Sequence, residues 1–369
     1  MKTSTIRSLI ICAVLLLLLI APCAAQSPLL TGPTSQGYPG NLTVHYLDAG
    51  QGDAELVVSP NGRTMLIDAG EMAMGGHVTD ALAAEGIPVV DLVVATHAHA
   101  DHIGGMRTVL KNVTAGMYLD NGRPATTITY LALMEQVQLQ GIPYRSLTAG
   151  ETVSWDPSVT ITVLNPQQYP FQDQNEDSVV LRLTYGNESF LFMGDASTRA
   201  EDAILTGGVP IASDVLKVGH HGSSSASGAA FLAAVHAEIS VIEVGAGNPY
   251  GHPAWDTLQR LEESGSTVYR TDLDGTITVT SDGIGYLVKT STGPSVLRIL
   301  PQVTAFPSDP DQDGRCEDLN GNGSADFADV VLFFNQIEWI SQYEPVQSFD
   351  MNGNGRIDFG DIVTLFNQL

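Results

Sequence analysis

The sequence predicts an α/β (α+β) fold in which sheets are covered by helices, followed by a small all-α module built on calcium-binding loops. Between residues 42 and 290, strand-like runs rich in β-branched residues alternate with helical segments in two successive halves. From residue 309 onward the chain is acidic and contains an internal repeat with regularly placed glycines. We therefore predict domains at 42–290 and 309–369, joined by a linker at 291–308.

The N-terminus has the three regions of a secretory signal peptide. Lys2 and Arg7 precede an apolar run from Leu9 to Ile20, and small residues follow up to Ala25, near which we place cleavage. The apolar run is shorter than the roughly 20 residues that span a bilayer, which makes a transmembrane anchor the weaker alternative. We predict a signal peptide at 1–25.

A lipid anchor on Cys23 is a further alternative, although Pro22 stands where such signals usually have a small, flexible residue. Removing the signal leaves a linker at 26–41 and Cys316 as the one cysteine of the mature chain, which can therefore form no internal disulfide. We expect a secreted, extracellular protein, free or attached to the cell surface, with no transmembrane span after processing.

Acidic side chains dominate the chain, whose formal net charge is −25 at pH 7. Residues 301–369 hold 12 acidic and 2 basic side chains, a density that suits calcium binding. Residues 26–300 hold 29 acidic and 12 basic side chains, and the resulting charge of −17 repels polyanions at long range. The composition therefore disfavours a nucleic-acid partner, which normally recruits Lys and Arg.

The elements of the larger domain can be assigned in chain order. Turns such as Pro60-Asn61-Gly62 separate the first strands and predict antiparallel hairpins. A short apolar run at 91–95 predicts a buried strand that leads directly into a histidine-rich motif. The predicted strands are 42–47, 55–58, 64–67, 91–95, 159–164, 178–185, 189–193, 214–218 and 240–244. The predicted helices are 76–86, 126–140, 198–205, 229–237 and 254–264.

The segment His97-Ala-His99-Ala-Asp101-His102 contains four potential metal ligands in six residues and precedes two glycines. Two histidines at alternating positions can reach one ion, while the adjacent aspartate and histidine turn toward a second. Imidazole and carboxylate ligands suit zinc, manganese or iron. We predict one or two divalent transition metals, with zinc favoured over manganese; surface histidines without a metal are the alternative.

HAHADHIGG resembles the HxHxDH signature of the metallo-β-lactamase superfamily. Further marks of that family follow in order: Asp68 in Leu66-Ile-Asp-Ala-Gly70, Asp195 in Phe192-Met-Gly-Asp195, and His220-His221 in Leu216-Lys-Val-Gly-His-His-Gly-Ser223. The resemblance covers about residues 42–290 and implies a four-layered αββα sandwich with a metal centre at the edge of its two sheets. It also implies that Asp195 bridges two ions, that His97 and His99 hold the first, and that Asp101, His102 and His220 hold the second. His221 is a further candidate ligand.

The sequence departs from the family pattern at one ligand, because no histidine occurs between His102 and His220. The usual third histidine of the first ion site is therefore missing, and Asp177 or Asn175 could complete that site. The segment around them, with Asp48-Ala-Gly-Gln-Gly-Asp53, His220-His-Gly-Ser223 and Tyr250-Gly-His252-Pro253, resembles the external hydrolase domain of ComEC-type DNA-uptake proteins and their free-standing relatives.

Three further residues are candidates for catalytic roles beside Asp101. We expect Asp68 to orient a ligand imidazole. His252 is a candidate for substrate contact or leaving-group protonation, with a structural loop histidine as the alternative. Lys217 could stabilise an anionic transition state or only cover a strand end. The glycine-rich segment 49–52 lacks the context of a nucleotide loop and is interpreted as a hairpin turn beside the metal site.

The tail contains a duplication, since the twelve residues from Asp318 recur 32 residues later from Asp350. Oxygen-bearing side chains occupy loop positions 1, 3, 5, 9 and 12, with glycine at position 6, as in calcium loops. The predicted loop residues are Asp318, Asn320, Asn322, Ser324, Asp326, Asp329, Asp350, Asn352, Asn354, Arg356, Asp358 and Asp361. The pair resembles dockerin-like repeats, which implies bound calcium and a cohesin-like or cell-surface partner; a disordered acidic tail is the alternative.

These features predict a secreted metal-dependent hydrolase that acts on a phosphodiester, such as extracellular nucleic acid, or on a small molecule. Two ions can activate water at neutral pH and hold both the attacking and the leaving oxygen of a phosphoryl centre. A lactone or β-lactam hydrolase is the first alternative. The second is a cell-surface or scaffold-binding protein with a vestigial hydrolase domain, which the intact ligand positions disfavour.

Overall fold

The computed structural model describes residues 40–291, 300, 303, 305–311 and 314–369. The predicted signal peptide at 1–25 lies outside the described residues, as does the linker at 26–41 except for its last two residues. Within the described ranges, no helix has both the length and the apolar composition needed to cross a membrane.

In the residues that the structure describes, fifteen strands form two sheets. Their bounds are β1 Leu42–Tyr46, β2 Glu55–Val58, β3 Thr64–Ile67, β4 Val89–Val94, β5 Thr114–Asp120, β6 Tyr144–Ser146, β7 Thr152–Val153, β8 Val159–Asn165, β9 Val180–Tyr185, β10 Glu188–Phe192, β11 Val215–Lys217, β12 Ile239–Ile242, β13 Thr267–Arg270, β14 Ile277–Ser281 and β15 Tyr286–Thr290. One sheet has the order β15-β14-β1-β2-β3-β4-β5-β6, and the other has the order β13-β12-β11-β10-β9-β8-β7.

Helices cover the outer faces of both sheets in the larger domain and also form the C-terminal module. They are α1 Gly75–Ala84, α2 Ala100–Ile103, α3 Met106–Asn112, α4 Ile128–Leu139, α5 Thr198–Thr206, α6 Ala229–Val235, α7 Trp255–Glu263, α8 Thr271–Asp274, α9 Phe327–Tyr343, α10 Val346–Phe349 and α11 Phe359–Gln368. Short 3-10 turns occur at Met72–Met74 and Gly219–Gly222.

Three apolar layers hold this arrangement together. The two sheets pack face to face through alternating side chains of β1 and the wholly buried β10, as in the contact between Tyr46 and Phe192. A second layer joins the first sheet to α1, α3 and α4, and a third joins the second sheet to α5, α6 and α7. The predicted four-layered αββα sandwich is confirmed.

The direction of the strands positions the site. The chain begins with antiparallel strands β1, β2 and β3, as predicted, and then β3 to β6 run parallel. In the second sheet, β10 to β13 are also parallel. The loops after β3, β4, β10, β11 and β12 therefore leave the carboxyl ends of parallel strands, where ligands bind in many α/β folds.

The strand β5 was not predicted from the sequence, because Gly116 interrupts its β-branched pattern. The structure explains this glycine: a Cβ atom at that position would lie 2.6 Å from the carbonyl oxygen of Asp91 on the neighbouring strand β4. The glycine therefore permits close approach of the two backbones. The sequence prediction likewise omitted β6, β7 and β13 to β15, of which β6, β7, β13 and β15 lie at sheet edges.

The C-terminal region forms its own helical core. Side chains of α9 and α11 pack with Leu319, Phe333 and Phe349, and Leu300 and Cys316 join the same cluster. A residue of the predicted linker, Phe306, contacts Trp255 of the larger domain with ring centroids 5.2 Å apart. The small all-α module is thus present, as predicted.

Candidate metal centre

The first part of the site is the loop that leaves β4 and enters α2. The loop contains His97 and His99, and the helix α2 that follows it contains Asp101 and His102. The side chains of His97 and His102 are buried, whereas that of His99 is exposed. The ring centroid of His97 lies 4.6 Å from that of His99 and 4.1 Å from that of His102. The structure therefore brings the predicted histidines of this motif together.

Asp195 lies at the middle of the cluster, in the loop after β10. Its Oδ1 atom is 3.3 Å from Nε2 of His102 and 3.5 Å from Nε2 of His221. Its Oδ2 atom is 3.7 Å from Nε2 of His97 and 3.7 Å from Nε2 of His220. The two carboxylate oxygens thus face two separate groups of side chains, which is the geometry of a bridging ligand.

The structure corrects one assignment of the sequence analysis, that of His220. We expected His220 to accompany Asp101 and His102, but His221 takes that place, with its Nε2 atom 3.5 Å from Oδ2 of Asp101. His220 lies on the other side of Asp195, toward His97. Both consecutive histidines have left-handed backbone angles, with φ of 50° and 52°. The planes of their rings make an angle of 70°.

All four buried or half-buried imidazoles of the cluster use Nδ1 to contact the protein. This arrangement turns each Nε2 atom toward Asp195 and fixes the ring orientation. The Nδ1 contacts are Asp68 Oδ2 at 2.7 Å for His102, Thr96 Oγ1 at 3.1 Å and Ser178 Oγ at 3.3 Å for His97, the carbonyl oxygen of Glu243 at 2.9 Å for His221, and Ser197 Oγ at 3.3 Å for His220.

Several of the central atoms are buried without a hydrogen bond. Nε2 of His97, His102 and His221 and Oδ1 of Asp195 have no hydrogen-bond partner in the part of the chain that the structure describes. Buried polar atoms are normally paired, since an unpaired one costs free energy. Four lone-pair donors that converge in this way fit divalent cations, and the residues present therefore suit the predicted metals.

The electrostatics of the cluster favour a positive charge at its centre. Burial lowers the pKa of His97 well below its ordinary value, which keeps the ring in the neutral form that binds metals. Burial alone would raise the pKa of Asp195, but the charges of His102 and His221 outweigh it and hold that pKa well below its usual range. Conversely, the carboxylates of Asp195 and Asp53 outweigh burial and raise the pKa of His221 to about 10.

Asp68 lies against the imidazole of His102, one of the predicted ligands. Besides contacting His102, its carboxylate accepts hydrogen bonds from the backbone N–H and the hydroxyl of Thr96. The residue is fully buried and has φ of 54°, a region in which Asp and Asn are the most tolerated residues after glycine.

We expect Asp68→Asn to weaken metal binding by about 10- to 100-fold, since the amide cannot hold the His102 ring as a carboxylate does. Because asparagine tolerates the left-handed backbone, the fold should be retained. Titration of the metal-free protein with Zn²⁺, beside a thermal unfolding curve, measures both quantities. An unchanged affinity in a folded variant would contradict the positioning role.

Lys217 does not reach the open part of the site, contrary to the predicted contact with an anionic transition state. Its side chain is fully buried and forms an ion pair with Asp53, whose own carboxylate lies 3.2 Å from Nδ1 of His221. Burial lowers the pKa of Lys217, but Asp53, Glu55 and Glu243 outweigh it and raise that pKa above its ordinary value. The lysine therefore neutralises acids beneath the cluster.

The acids around Lys217 were missed as site residues by the sequence analysis. Asp53, Glu55 and Glu243 are buried, and the backbone N–H of Ala54 donates to Glu243 Oε1 at 3.1 Å. Burial, with the charge of Asp53, raises the pKa of Glu243 to about 8. The sequence signal that could have identified these residues is an acidic side chain within an apolar strand or directly after one, as at Glu55 in β2 and Glu243 after β12.

The structure separates the two candidates for completing the first ion site. The carboxylate of Asp177 accepts hydrogen bonds from the backbone N–H groups of Phe171 and Gln172 and faces Arg123 at 3.7 Å. Both of its oxygens are thus used within its own loop, and we remove it from the ligand set. Asn175 instead contacts the cluster, with Nδ2 3.2 Å from Nε2 of His220.

His252 lies next to the cluster, on the loop between β12 and α7. Its ring centroid is 5.6 Å from that of His220 and 6.4 Å from that of His221. The peptide bond to Pro253 is cis, and Gly222 allows Pro253 to approach, since a Cβ atom on that glycine would lie 2.6 Å from the proline Cβ. The predicted candidate for substrate contact is therefore beside the predicted ligands.

The two loops of the tail have the same hydrogen-bond pattern. Asp318 accepts from the N–H groups of Asn322 and Gly323, and Asp350 accepts from those of Asn354 and Gly355. The position-12 residues, Asp329 and Asp361, accept from the N–H groups of Asn320 and Asn352. The carboxylates at the first and twelfth positions therefore hold the backbone of each predicted calcium loop in the same way in both repeats.

Comparisons with known proteins agree with this geometry. The family described as the metallo-beta-lactamase superfamily matches residues 47–245, and the dockerin type I domain matches residues 316–369. ComE operon protein 3 of Bacillus subtilis (strain 168) is 29% identical over 285 residues, which cover 73% of this chain and 35% of that protein. Competence protein ComA of Neisseria gonorrhoeae is 33% identical over 280 residues, which cover 73% of this chain and 38% of that protein.

The chain therefore spans about a third of the length of the curated relatives it matches. Among solved structures, Igni18, a metallo hydrolase from the archaeon Ignicoccus hospitalis KIN4/I, is similar with 16% sequence identity and a TM-score of 0.45. That similarity covers 64% of this chain and 98% of Igni18.

Proposed function

The chain belongs to the metallo-beta-lactamase superfamily, a hydrolase family whose fold binds divalent metals, and from this premise we propose that it is a secreted phosphodiesterase with a two-ion centre. The observation that supports this most is the position of Asp195, whose two oxygens face separate groups of ligands. A centre with two ions suits phosphodiester hydrolysis, because both the attacking and the leaving oxygen must be stabilised.

One ion would be held by His97, His99 and His220, and the other by Asp101, His102 and His221, with Asp195 shared between them. In this assignment His220 supplies the histidine that is missing from the usual place in the sequence. Its Nε2 atom, 3.7 Å from Oδ2 of Asp195, supports the assignment. Zinc is the proposed metal and manganese the alternative, since the ligands are imidazole and carboxylate without thiolate.

Bound ions would activate water at neutral pH and offset the charge on the phosphoryl oxygens. The protein's own contribution is orientation. Asp68 and the Glu243 carbonyl hold the rings of His102 and His221, while the Lys217 ion pair limits the negative charge beneath them. His252 is the proposed donor of a proton to the leaving oxygen, because its ring adjoins both His220 and His221.

The relatives support the choice of a phosphodiester over a lactone or β-lactam. The matched protein of Neisseria gonorrhoeae is named a competence protein, and the motifs resemble the external hydrolase domain of DNA-uptake proteins. The acidic body weakens long-range attraction of polyanions, so short or single-stranded substrates fit better than long duplexes.

The tail has a binding role in this proposal. Residues 309–369 bind calcium through the two loops and attach the enzyme to a cohesin-like or cell-surface partner, beyond the linker at 291–308. The match to the dockerin type I domain supports this assignment. Secretion through the signal peptide at 1–25 places both parts outside the cell.

The activity can be tested with the protein from residue 26 onward, stripped of metal and reloaded with Zn²⁺ or Mn²⁺. We expect hydrolysis of bis(p-nitrophenyl) phosphate that depends on the metal and exceeds hydrolysis of lactone and β-lactam substrates. His99→Ala should lose at least about 100-fold in kcat, because removing a ligand weakens the ion that activates water. His77→Ala, an exposed histidine on α1, is the matched control. Faster lactone or β-lactam hydrolysis would refute the proposed substrate class.

A further inference from the structure

The exposed aromatic ring closest in sequence to His252 belongs to Tyr250, whose side chain is 65% exposed. Its ring centroid lies 5.9 Å from that of His252 with an interplanar angle of 28°. The ring of His252 is in turn 6.4 Å from that of His221 with an angle of 30°. Three roughly parallel rings therefore lead from the surface to the candidate metal centre.

The loop that presents Tyr250 is held in shape by a single side chain. Asn248 donates through Nδ2 to the carbonyl oxygens of Gly245 and His252, and its Oδ1 accepts from the N–H groups of Tyr250 and His252. Gly251 has φ of 70°, which lets the chain turn between the two aromatic residues. The position of the tyrosine backbone is thus fixed relative to the cluster.

From this geometry we infer that Tyr250 is a stacking platform for an unpaired nucleobase next to the phosphodiester that is cleaved. The inference rests on the proposed function and specifies its substrate as single-stranded nucleic acid or short nucleotide diesters. A planar base can stack on the outer face of Tyr250, whose inner face is turned toward His252. A paired base inside a duplex does not offer its face in this way.

The charge of the domain favours a platform of this kind. Residues 26–300 carry a net charge of −17, so the long-range attraction of phosphates by Lys and Arg is weak. Stacking of a base on an aromatic side chain does not depend on charge and tolerates any base. The substrate would then be bound by the metals at its phosphate and by Tyr250 at its base.

The test compares two single-stranded oligomers with the same backbone and charge: oligothymidylate, and an oligomer of abasic tetrahydrofuran residues. For the metal-loaded wild-type protein we expect kcat/KM to be about 5- to 150-fold higher with oligothymidylate, from the usual strength of base stacking. Tyr250→Leu should remove this preference by lowering kcat/KM for oligothymidylate only. Tyr250→Phe keeps the planar ring and should retain the preference.

Equal rates of the wild type on both oligomers, or an equal loss on both in Tyr250→Leu, would overturn the stacking role. Hydrolysis of bis(p-nitrophenyl) phosphate distinguishes a failure of the stacking role from a failure of the proposed phosphodiesterase function. If the wild type cleaves that diester but does not distinguish the oligomers, only the platform is wrong. If it cleaves none of the three under any metal, the phosphodiesterase assignment fails as well.

Discussion

Asp195→Asn is expected to lower kcat by about a thousandfold, the largest effect of any single change to the site. A bridging carboxylate offers one oxygen to each ion. An amide offers only one oxygen, and its NH₂ group takes the place of the other. That group would point a proton either at the ring nitrogens of His97 and His220 or at those of His102 and His221. Loss of one ion removes about 4 kcal/mol of transition-state stabilisation, which corresponds to that factor in rate.

The fold should survive this change, because the side chain of Asp195 makes its contacts within the cluster and not within the apolar layers. Elemental analysis and kinetics with bis(p-nitrophenyl) phosphate measure metal content and turnover. Asp202→Asn, an exposed acid on α5, is the matched control. A variant with native metal content and native kcat would exclude Asp195 as a bridging ligand.

Removal of calcium is expected to unfold the C-terminal module while the larger domain stays folded. The segment 301–369 holds 12 acidic side chains against 2 basic ones, and four of the loop aspartates are buried in the folded module. Without a cation these carboxylates repel one another. Calcium at about a thousandfold excess over its Kd would add about 4 kcal/mol to the stability of the folded module.

Limited proteolysis of the full mature chain, with and without EGTA, gives the readout. Cleavage should appear after residue 309 only in EGTA, and the fluorescence of Trp339, which packs against the tail core, should change at the same time. Asp350→Ala should reproduce the effect in calcium. A chain that ends at residue 308 keeps Phe306 against Trp255 and should retain activity on a small diester. Identical proteolysis in EGTA and calcium would refute a calcium-dependent module.

The sequence was sufficient to predict the layers and most of the side chains that the structure brings together at the candidate site. The apolar alternation in β1 and the buried runs of β4 and β10 reflect the position of these strands between the sheets or beneath helices. Each pattern lies within a few consecutive residues and can therefore be recognised in the sequence. The HAHADH loop is equally local, because its side chains are neighbours in the chain as well as in space. Asp195 and the histidine pair were found through resemblance to a family.

The different positions of the His220 and His221 side chains could not be predicted. They depend on two consecutive residues with left-handed backbone angles, which send adjacent side chains in different directions. The sequence left Asn175 and Asp177 open for a similar reason, since the turn before β9 sends one toward His220 and the other toward Phe171. The ion pair of Lys217 and Asp53 joins residues 164 positions apart, and composition alone does not reveal such a partner.

The number of transition-metal ions bound per chain decides whether the candidate site holds two ions bridged by Asp195. A chain that ends at residue 308, free of the calcium loops, should be loaded with excess Zn²⁺ or Mn²⁺, dialysed against metal-free buffer and analysed for metal per chain. We expect two tightly bound equivalents of metal, one on each side of Asp195. A single tight equivalent that supports full phosphodiesterase activity would contradict the two-ion centre and the bridging role of Asp195.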